Sequence, residues 1–147
     1  MSQNQDYPSV AVVILNYNGE HFLRKFLGAV YASVYPNWQL YVADNASTDS
    51  STHFLEQEGF VAPNQATPAG ELPKFLIELP ENYGFAEGYN QALKQVDADY
   101  YVLLNSDVEV DKNWIMPIIE LMENDPQVAA CQPKVKMMGQ EHLFEHA

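Results

Sequence analysis

Residues 101–109 read Tyr-Val-Leu-Leu-Asn-Ser-Asp-Val-Glu. The apolar run from Tyr100 to Leu104 stops abruptly in Asn105, Ser106 and Asp107, with Glu109 two residues further on. A run this short, rich in aromatic and β-branched residues and closed by turn formers, predicts a buried strand. Polar groups just past such a strand sit at its carboxyl end, where open α/β sheets take their ligands. An acidic side chain there offers hard oxygen atoms to a divalent cation, and a diphosphate needs such a cation.

The same design repeats outward from this point. Residues 10–15 form an unbroken aliphatic run with four β-branched members, the pattern of a strand buried on both faces. Asn16-Tyr17-Asn18-Gly19 ends it with turn formers. Phe22, Phe26, Leu27 and Val30 then recur at helical spacing, predicting a helix over residues 20–34 that Pro36 stops. Residues 40–43 are a second expected strand, ending in Asp44-Asn45-Ala46-Ser47-Thr48-Asp49. Ser47 or Thr48 is expected to cap a helix running to about Glu58, with Asp49 favourable in its first turn.

Residues 59–73 hold Pro63, Pro68, Pro73 and Gly70 and read as a long loop, a lid or, the reading favoured here, a surface insertion. Residues 75–79 are a third expected strand. A helix over 85–96 follows, with Ala86, Tyr89, Leu93 and Val96 as its apolar contacts. After the strand at 100–104, Asp111 or Asn113 is expected to cap a helix to about Asn124, with Pro117 in or near its first turn. A last strand is expected at 127–133. Strands alternating with helices imply an α/β fold: a mostly parallel, doubly wound sheet, Rossmann-like, in three α/β/α layers. In such a sheet the polar strand ends converge on one edge, so four clusters distant in sequence can form one site.

Size and charge narrow the function. The chain has 147 residues, one domain by length, and its 47% hydrophobic and 12% aromatic content is that of a folded protein. Seven basic and twenty acidic residues leave a net charge of −13, which argues against nucleic acid or an anionic membrane surface as partner. A single nucleotide remains compatible, since a metal and backbone amides can meet its charge. Cys131 is the only cysteine, which excludes an intrachain disulfide and fits a reducing compartment; Val128-Ala129-Ala130-Cys131 reads as buried. The first nine residues show no signal-peptide pattern, and the longest purely apolar run, residues 10–15, is too short to cross a bilayer. The expected location is cytoplasmic.

Each cluster has an ordinary structural reading beside the functional one. Asn16-Tyr17-Asn18-Gly19 can be a plain strand-to-helix turn, or can hold a base or ribose. Ser47, Thr48 and Asp49 read mainly as helix-capping residues, whereas Asp44 lies too early to cap and is the better acceptor for a ligand donor. Asn82-Tyr83-Gly84 with Gly88 and Asn90 brackets a helix start and permits close backbone approach, although it matches neither G-x-G-x-x-G nor a P-loop. Asp107 can be a turn residue or a metal ligand, with Glu109 as a possible helper. His21, His53, His142 and His146 form no convincing metal-ligand pair.

Taken in order, the clusters resemble the nucleotide-binding half of a family 2 glycosyltransferase of the GT-A fold, closest to its rhamnosyltransferase-like branch. The matching segments are Val12 to Gly19, Asp44 to Asp49, Asn82 to Ala86 with Asn90, and Leu103 to Asp107, within residues 10–135. The resemblance implies that Asp44 contacts the base or ribose of a nucleotide sugar, that Asn16 and Tyr17 line the same pocket, and that Asn82 and Gly84 border the base. Asp107 matches the last acid of the family's D-x-D motif, the ligand of Mg2+ or Mn2+. Asn105 replaces the first acid and can still reach ribose or diphosphate.

The chemistry implied is inverting transfer from a UDP- or dTDP-linked sugar to an acceptor hydroxyl of a glycan or lipid-linked acceptor, at the inner membrane face. The family's catalytic base lies beyond the D-x-D segment. Residues 1–9 are therefore expected to be a disordered or extended lead-in, 10–135 a donor-binding domain, and 136–147 the start of a missing acceptor half. The uncovered face left behind would favour self-association. Two other readings stay open: a non-catalytic nucleotide-sugar binding module, and, less well matched for want of a basic Gly-rich loop, a nucleotidyltransferase.

Overall fold

The computed structural model of the chain describes residues 7–144. Its centre is β1 (Val10–Asn16), whose β-branched residues suit an extended backbone and whose side chains alternate between two cores. Val10, Val12 and Ile14 enter one core, and Ala11 and Val13 the other. β1 pairs in parallel with β2 (Trp38–Asp44) on one side and β4 (Tyr100–Asn105) on the other. β3 (Lys74–Glu78) extends the sheet beyond β2, giving the order β3-β2-β1-β4.

Helices α1 (Glu20–Tyr31), α2 (Ser51–Gln57) and α4 (Ile115–Asn124) cover one face through Leu23, Leu27, Val30, Phe54, Leu55, Ile115 and Ile119. Helix α3 (Gly84–Leu93) covers the other with Tyr89 and Ala92. The expected doubly wound, three-layer α/β/α arrangement is present. From β1 the chain steps outward to β2 and β3, then returns across the sheet to β4. The strand order therefore reverses between β1 and β4, and ligands of open α/β sheets bind at that point.

Several local expectations are corrected. Helix α1 ends at Tyr31 rather than Val34, because the Val34 amide donates to the Lys112 carbonyl (2.7 Å). The capping role read for Ser47 and Thr48 is not theirs: α2 starts only at Ser51, and neither residue reaches its first turn. Nor do Asp111 and Asn113 cap α4, which starts at Ile115; Asp111 Oδ1 accepts the Asn113 amide in a preceding turn. Pro117 does fall in the first turn, where its missing N–H has no helical partner to lose. Ala86, expected to be apolar core, is exposed, and Gly88 takes the sheet-facing place.

The strand expected at 127–133 is absent. Pro126 and Pro133 remove donors at both ends, and Ala-Ala-Cys between them offers little apolar area to bury. Cys131 is accordingly exposed, not buried. The terminal segment instead forms a hairpin of β5 (Lys136–Met137) and β6 (Gln140–Phe144), turning at Gly139 with φ +76°. The long loop is structural at its start: Val61 bridges Phe75 in parallel beside β3 and Phe60 is core. β4 is an edge strand whose α3-side face lies open, with Tyr101 45% and Leu103 53% exposed. Of the expected lead-in, residues 1–6 lie outside the described residues. Residues 7–9 are pinned through Ser9 to Asp99 (2.7 Å) and through the Pro8 carbonyl to the Tyr35 hydroxyl (3.0 Å).

Candidate functional site

The parallel register aligns the strand ends. Asn16 lies opposite Asp44, Leu15 opposite Asn105, and Asp44 opposite Glu78. The three clusters after β1, β2 and β3 are then joined by side-chain hydrogen bonds.

Asn16 is fully buried, and its Nδ2 donates to Asp44 Oδ1 (2.9 Å) and Ser47 Oγ (3.2 Å). Asp44, 2% exposed, also accepts the Ser47 hydroxyl at Oδ1 (2.6 Å) and the Ser47 amide at Oδ2 (2.8 Å). Three donors thus hold the buried carboxylate, which has no ion pair among the described residues; such hydrogen bonding is the condition under which burial of the group is tolerable. Asn16 Oδ1 is left buried without a partner among the described residues. It sits against Gly19, where any Cβ would collide with it.

A second tie lies at the surface. Asn18, in the left-handed region at φ +50°, donates its amide to Ser47 Oγ (2.8 Å) and accepts the Thr48 amide at Oδ1 (2.7 Å). Asp49 accepts the Glu20 amide at Oδ2 (3.1 Å) and the Ser51 amide at Oδ1 (3.0 Å). It therefore faces the start of α1 as well as that of α2. Partial burial would push its pKa up, but these hydrogen bonds outweigh that and hold it below the usual 3.8.

The third cluster docks through Asn45, 2% exposed. Its Nδ2 donates to Asn82 Oδ1 (2.9 Å) and the Gly84 carbonyl (3.0 Å), and its Oδ1 accepts the Tyr83 amide (3.0 Å). Gly84 opens α3 at φ +73°, which favours glycine there. Gly88 lets α3 approach closely: a Cβ would stand 3.0 Å from Leu15 and 3.2 Å from Asn45 Nδ2.

The fourth cluster adjoins the others without bonding to them. Asn105 is exposed beside the end of β1, and Ser106 Oγ lies close to Gly19. Asp107 and Glu109 are exposed, with no hydrogen bond or ion pair among the described residues. Tyr17 is exposed at the end of β1. Asn90 is not drawn in: its Nδ2 donates to Glu87 Oε2 (3.2 Å) on the surface of α3.

Of the expected residues, Asn16, Asp44, Asn82 and Gly84 are joined in one network, Asn105 stands beside the end of β1 with Asp107 two residues further on, and Asn90 stands apart. Ser47 was read from the sequence as a helix cap, and Asn18 and Asn45 only as members of their turns, yet the three carry the links. The left-handed φ values of Asn18 and Ala46 explain how two turns interlock, and only the Asn at 18 hinted at it.

None of the seven basic residues lies in any of the four clusters. Arg24 pairs with Glu20, and Lys74 donates to the Glu58 carbonyl. No group of three or more His, Cys, Asp or Glu suited to a metal occurs among the described residues. A cation at the end of β4 would find the free carboxylate of Asp107, with that of Glu109, equally unpartnered among the described residues, two positions on. That suits Mg2+ or Mn2+, which take few protein oxygens and fill their shell with water and phosphate.

The comparisons with known proteins agree with this layout. TuaG of Bacillus subtilis, named as a teichuronic acid biosynthesis glycosyltransferase, is 25% identical over 115 residues, covering 78% of this chain and 42% of TuaG. The poly-β-1,6-N-acetyl-D-glucosamine synthase of Staphylococcus aureus is 23% identical over 94% of this chain and 32% of its own length. This chain thus spans less than half of these relatives. Among solved structures, the mannosyltransferase PcManGT of Pyrobaculum calidifontis, in complex with GDP-Man and Mn2+, superposes with a TM-score of 0.68 at 21% identity, over 90% of this chain and 35% of that one. S. aureus TarS in complex with UDP gives 0.65 at 18% identity, over 90% and 43%. At these identities the two structures establish a shared fold. No helix among the described residues is long and apolar enough to cross a membrane. The pattern of glycosyl transferase family 2 matches residues 11–146, and the chain belongs to that family.

Proposed function

We propose that this chain forms the donor-binding part of an inverting glycosyltransferase. In this reading it holds a nucleoside-diphosphate sugar, UDP- or dTDP-linked, at the carboxyl ends of β1, β2 and β4. The observation that carries the proposal is the convergence at the β1/β4 switch point of a locked Asn16-Asp44-Ser47 turn and an open, unpartnered Asp107. The relatives support it: PcManGT binds GDP-Man with Mn2+, and TarS binds UDP and UDP-GlcNAc. The rhamnosyltransferase-like branch rests on the motifs alone.

Asn16, Tyr17, Asp44, Asn82 and Gly84 would line the base and ribose pocket, Asn90 its outer border. Asn105 would reach ribose or diphosphate. Asp107 would hold Mg2+ or Mn2+, which supplies charge stabilisation for the departing nucleoside diphosphate. Clusters without a lysine or arginine give the diphosphate no other full positive charge.

Three of the acids that follow the metal turn are engaged elsewhere. Glu123 accepts from the Tyr100 hydroxyl at the opposite end of β4, Asp111 closes its own turn, and Asp125 Oδ1 accepts the Gln127 amide. We place the base, and the glycan or lipid-linked acceptor, outside the described residues. A non-catalytic nucleotide-sugar module draws on the same absence, and transfer activity in a longer chain would exclude it. Cytoplasmic location at the inner membrane face belongs to the same reading.

Calorimetric titration of UDP and dTDP, with and without MnCl2, tests the site. Binding is expected only with metal, and Asp107→Ala should weaken it at least about tenfold, the loss of one charged ligand contact. Equal affinity in wild type and variant would overturn the metal assignment.

A further inference from the structure

Among the described residues, Asn45 is the one whose contacts reach three of the four clusters. Its backbone amide donates to the Asn16 carbonyl (2.8 Å), it follows Asp44 directly, and its side chain spends both N–H groups and one oxygen on residues 82–84. Those partners lie 37 to 39 positions away in sequence. The α3 start has no other side-chain bond to the β1 or β2 turns among the described residues. Gly88 brings α3 against the Asn45 amide, so the clamp is closed from both sides.

We propose that Asn45 is a positioning residue for donor binding: it sets the distance of the Asn82–Gly84 turn from the Asn16–Asp44 turn, and so the width of the base pocket. This rests on the donor-site reading above. With both side-chain N–H groups and its oxygen spent on residues 82–84, Asn45 acts on the nucleotide through Asn82 and Gly84. The arrangement requires an amide. An aspartate of the same shape keeps the acceptor for the Tyr83 amide, but it turns an oxygen toward Asn82 Oδ1 and the Gly84 carbonyl, two acceptors.

The test uses the chain as it stands, with UDP, GDP and dTDP in MnCl2 as probes. Asn45→Asp, which preserves volume, and Asn45→Ala should each raise Kd by roughly tenfold or more, the effect of breaking a buried hydrogen-bonded link. Amide exchange at Tyr83 should accelerate, while that of Val12 and Val42 in the central strands should not. Ile119→Ala, a core change in α4, serves as the control: it should lower Tm and leave Kd unchanged. Nucleotide affinity within twofold of wild type in Asn45→Asp would overturn the positioning role while leaving the donor site standing. Unchanged Tyr83 exchange would overturn it as well. A wild-type chain that binds none of the three nucleotides would overturn the donor-site reading itself, and the role of Asn45 with it.

Discussion

Two glycines in the first forty residues do opposite things for reasons of contact alone. A methyl on Gly19 would strike Asn16 Oδ1, and Asn16 cannot retreat without losing Asp44 and Ser47. Gly28 lies on the exposed side of α1 with open space around its Cβ position. Gly19→Ala should therefore destabilise by about 1–3 kcal/mol, as overpacking does, and Gly28→Ala should stabilise by about 0.5–1 kcal/mol through helix propensity. Urea unfolding of the two variants checks both signs. Asn45 makes the same point for binding: one amide with its hydrogen bonds used up outranks several exposed polar residues that looked more like ligands.

At the scale of elements, the four parallel strands behave as their composition demands, and the departures come where apolar area runs out. Residues 127–133 have too little to bury and no free donors at the two prolines, so they run over the surface. Cys131 should then react stoichiometrically with a thiol reagent such as DTNB in the native protein, without prior unfolding. A thiol that reacts only in denaturant would restore the buried strand. β4 raises the reverse problem: an apolar strand with an open edge and Tyr101 and Leu103 left uncovered. We expect a second copy to cover that face at high concentration, and sizing chromatography showing only monomer would refute this.

For the whole molecule, the tyrosines dominate the alkaline response. Burial raises the pKa of Tyr31, Tyr41 and Tyr89 above the ordinary 10.0, with the Glu58 charge adding at Tyr31 and Asp97 at Tyr41. A raised folded-state value means that the unfolded chain gives up these protons first. Their contribution is fully present below pH 10 and lost as pH rises beyond it. Asp49 works in the other direction: its lowered pKa contributes above the usual 3.8 and is lost as pH falls through its folded-state value. Tm should hold through neutral pH and fall above pH 10, and the part of the tyrosinate absorbance near 295 nm that belongs to these buried residues should appear only together with unfolding. The full absorbance of all nine tyrosines reached well before unfolding would show that the buried hydroxyls are reached by solvent.

The sequence by itself determined the alternation of strands and helices, the parallel sheet and the carboxyl-end position of the polar turns. Unbroken aliphatic runs and helical spacing are local signals, and a parallel sheet is the arrangement that buries both faces of such runs. The positions of Asn16, Asp44 and Asp107 at or just past the strand ends were legible because each stands where an apolar run breaks. Only the tertiary structure decided which turns bond to which. The capping residues read at 47 and 48 turned out to face a neighbouring turn, and Asn45 reached across to residues 82–84, because partners some thirty to forty positions apart meet only once the strands are in register. The terminal hairpin of β5 and β6 was likewise not legible, since the pairing of two short strands depends on which edge is within reach and not on the composition of one segment.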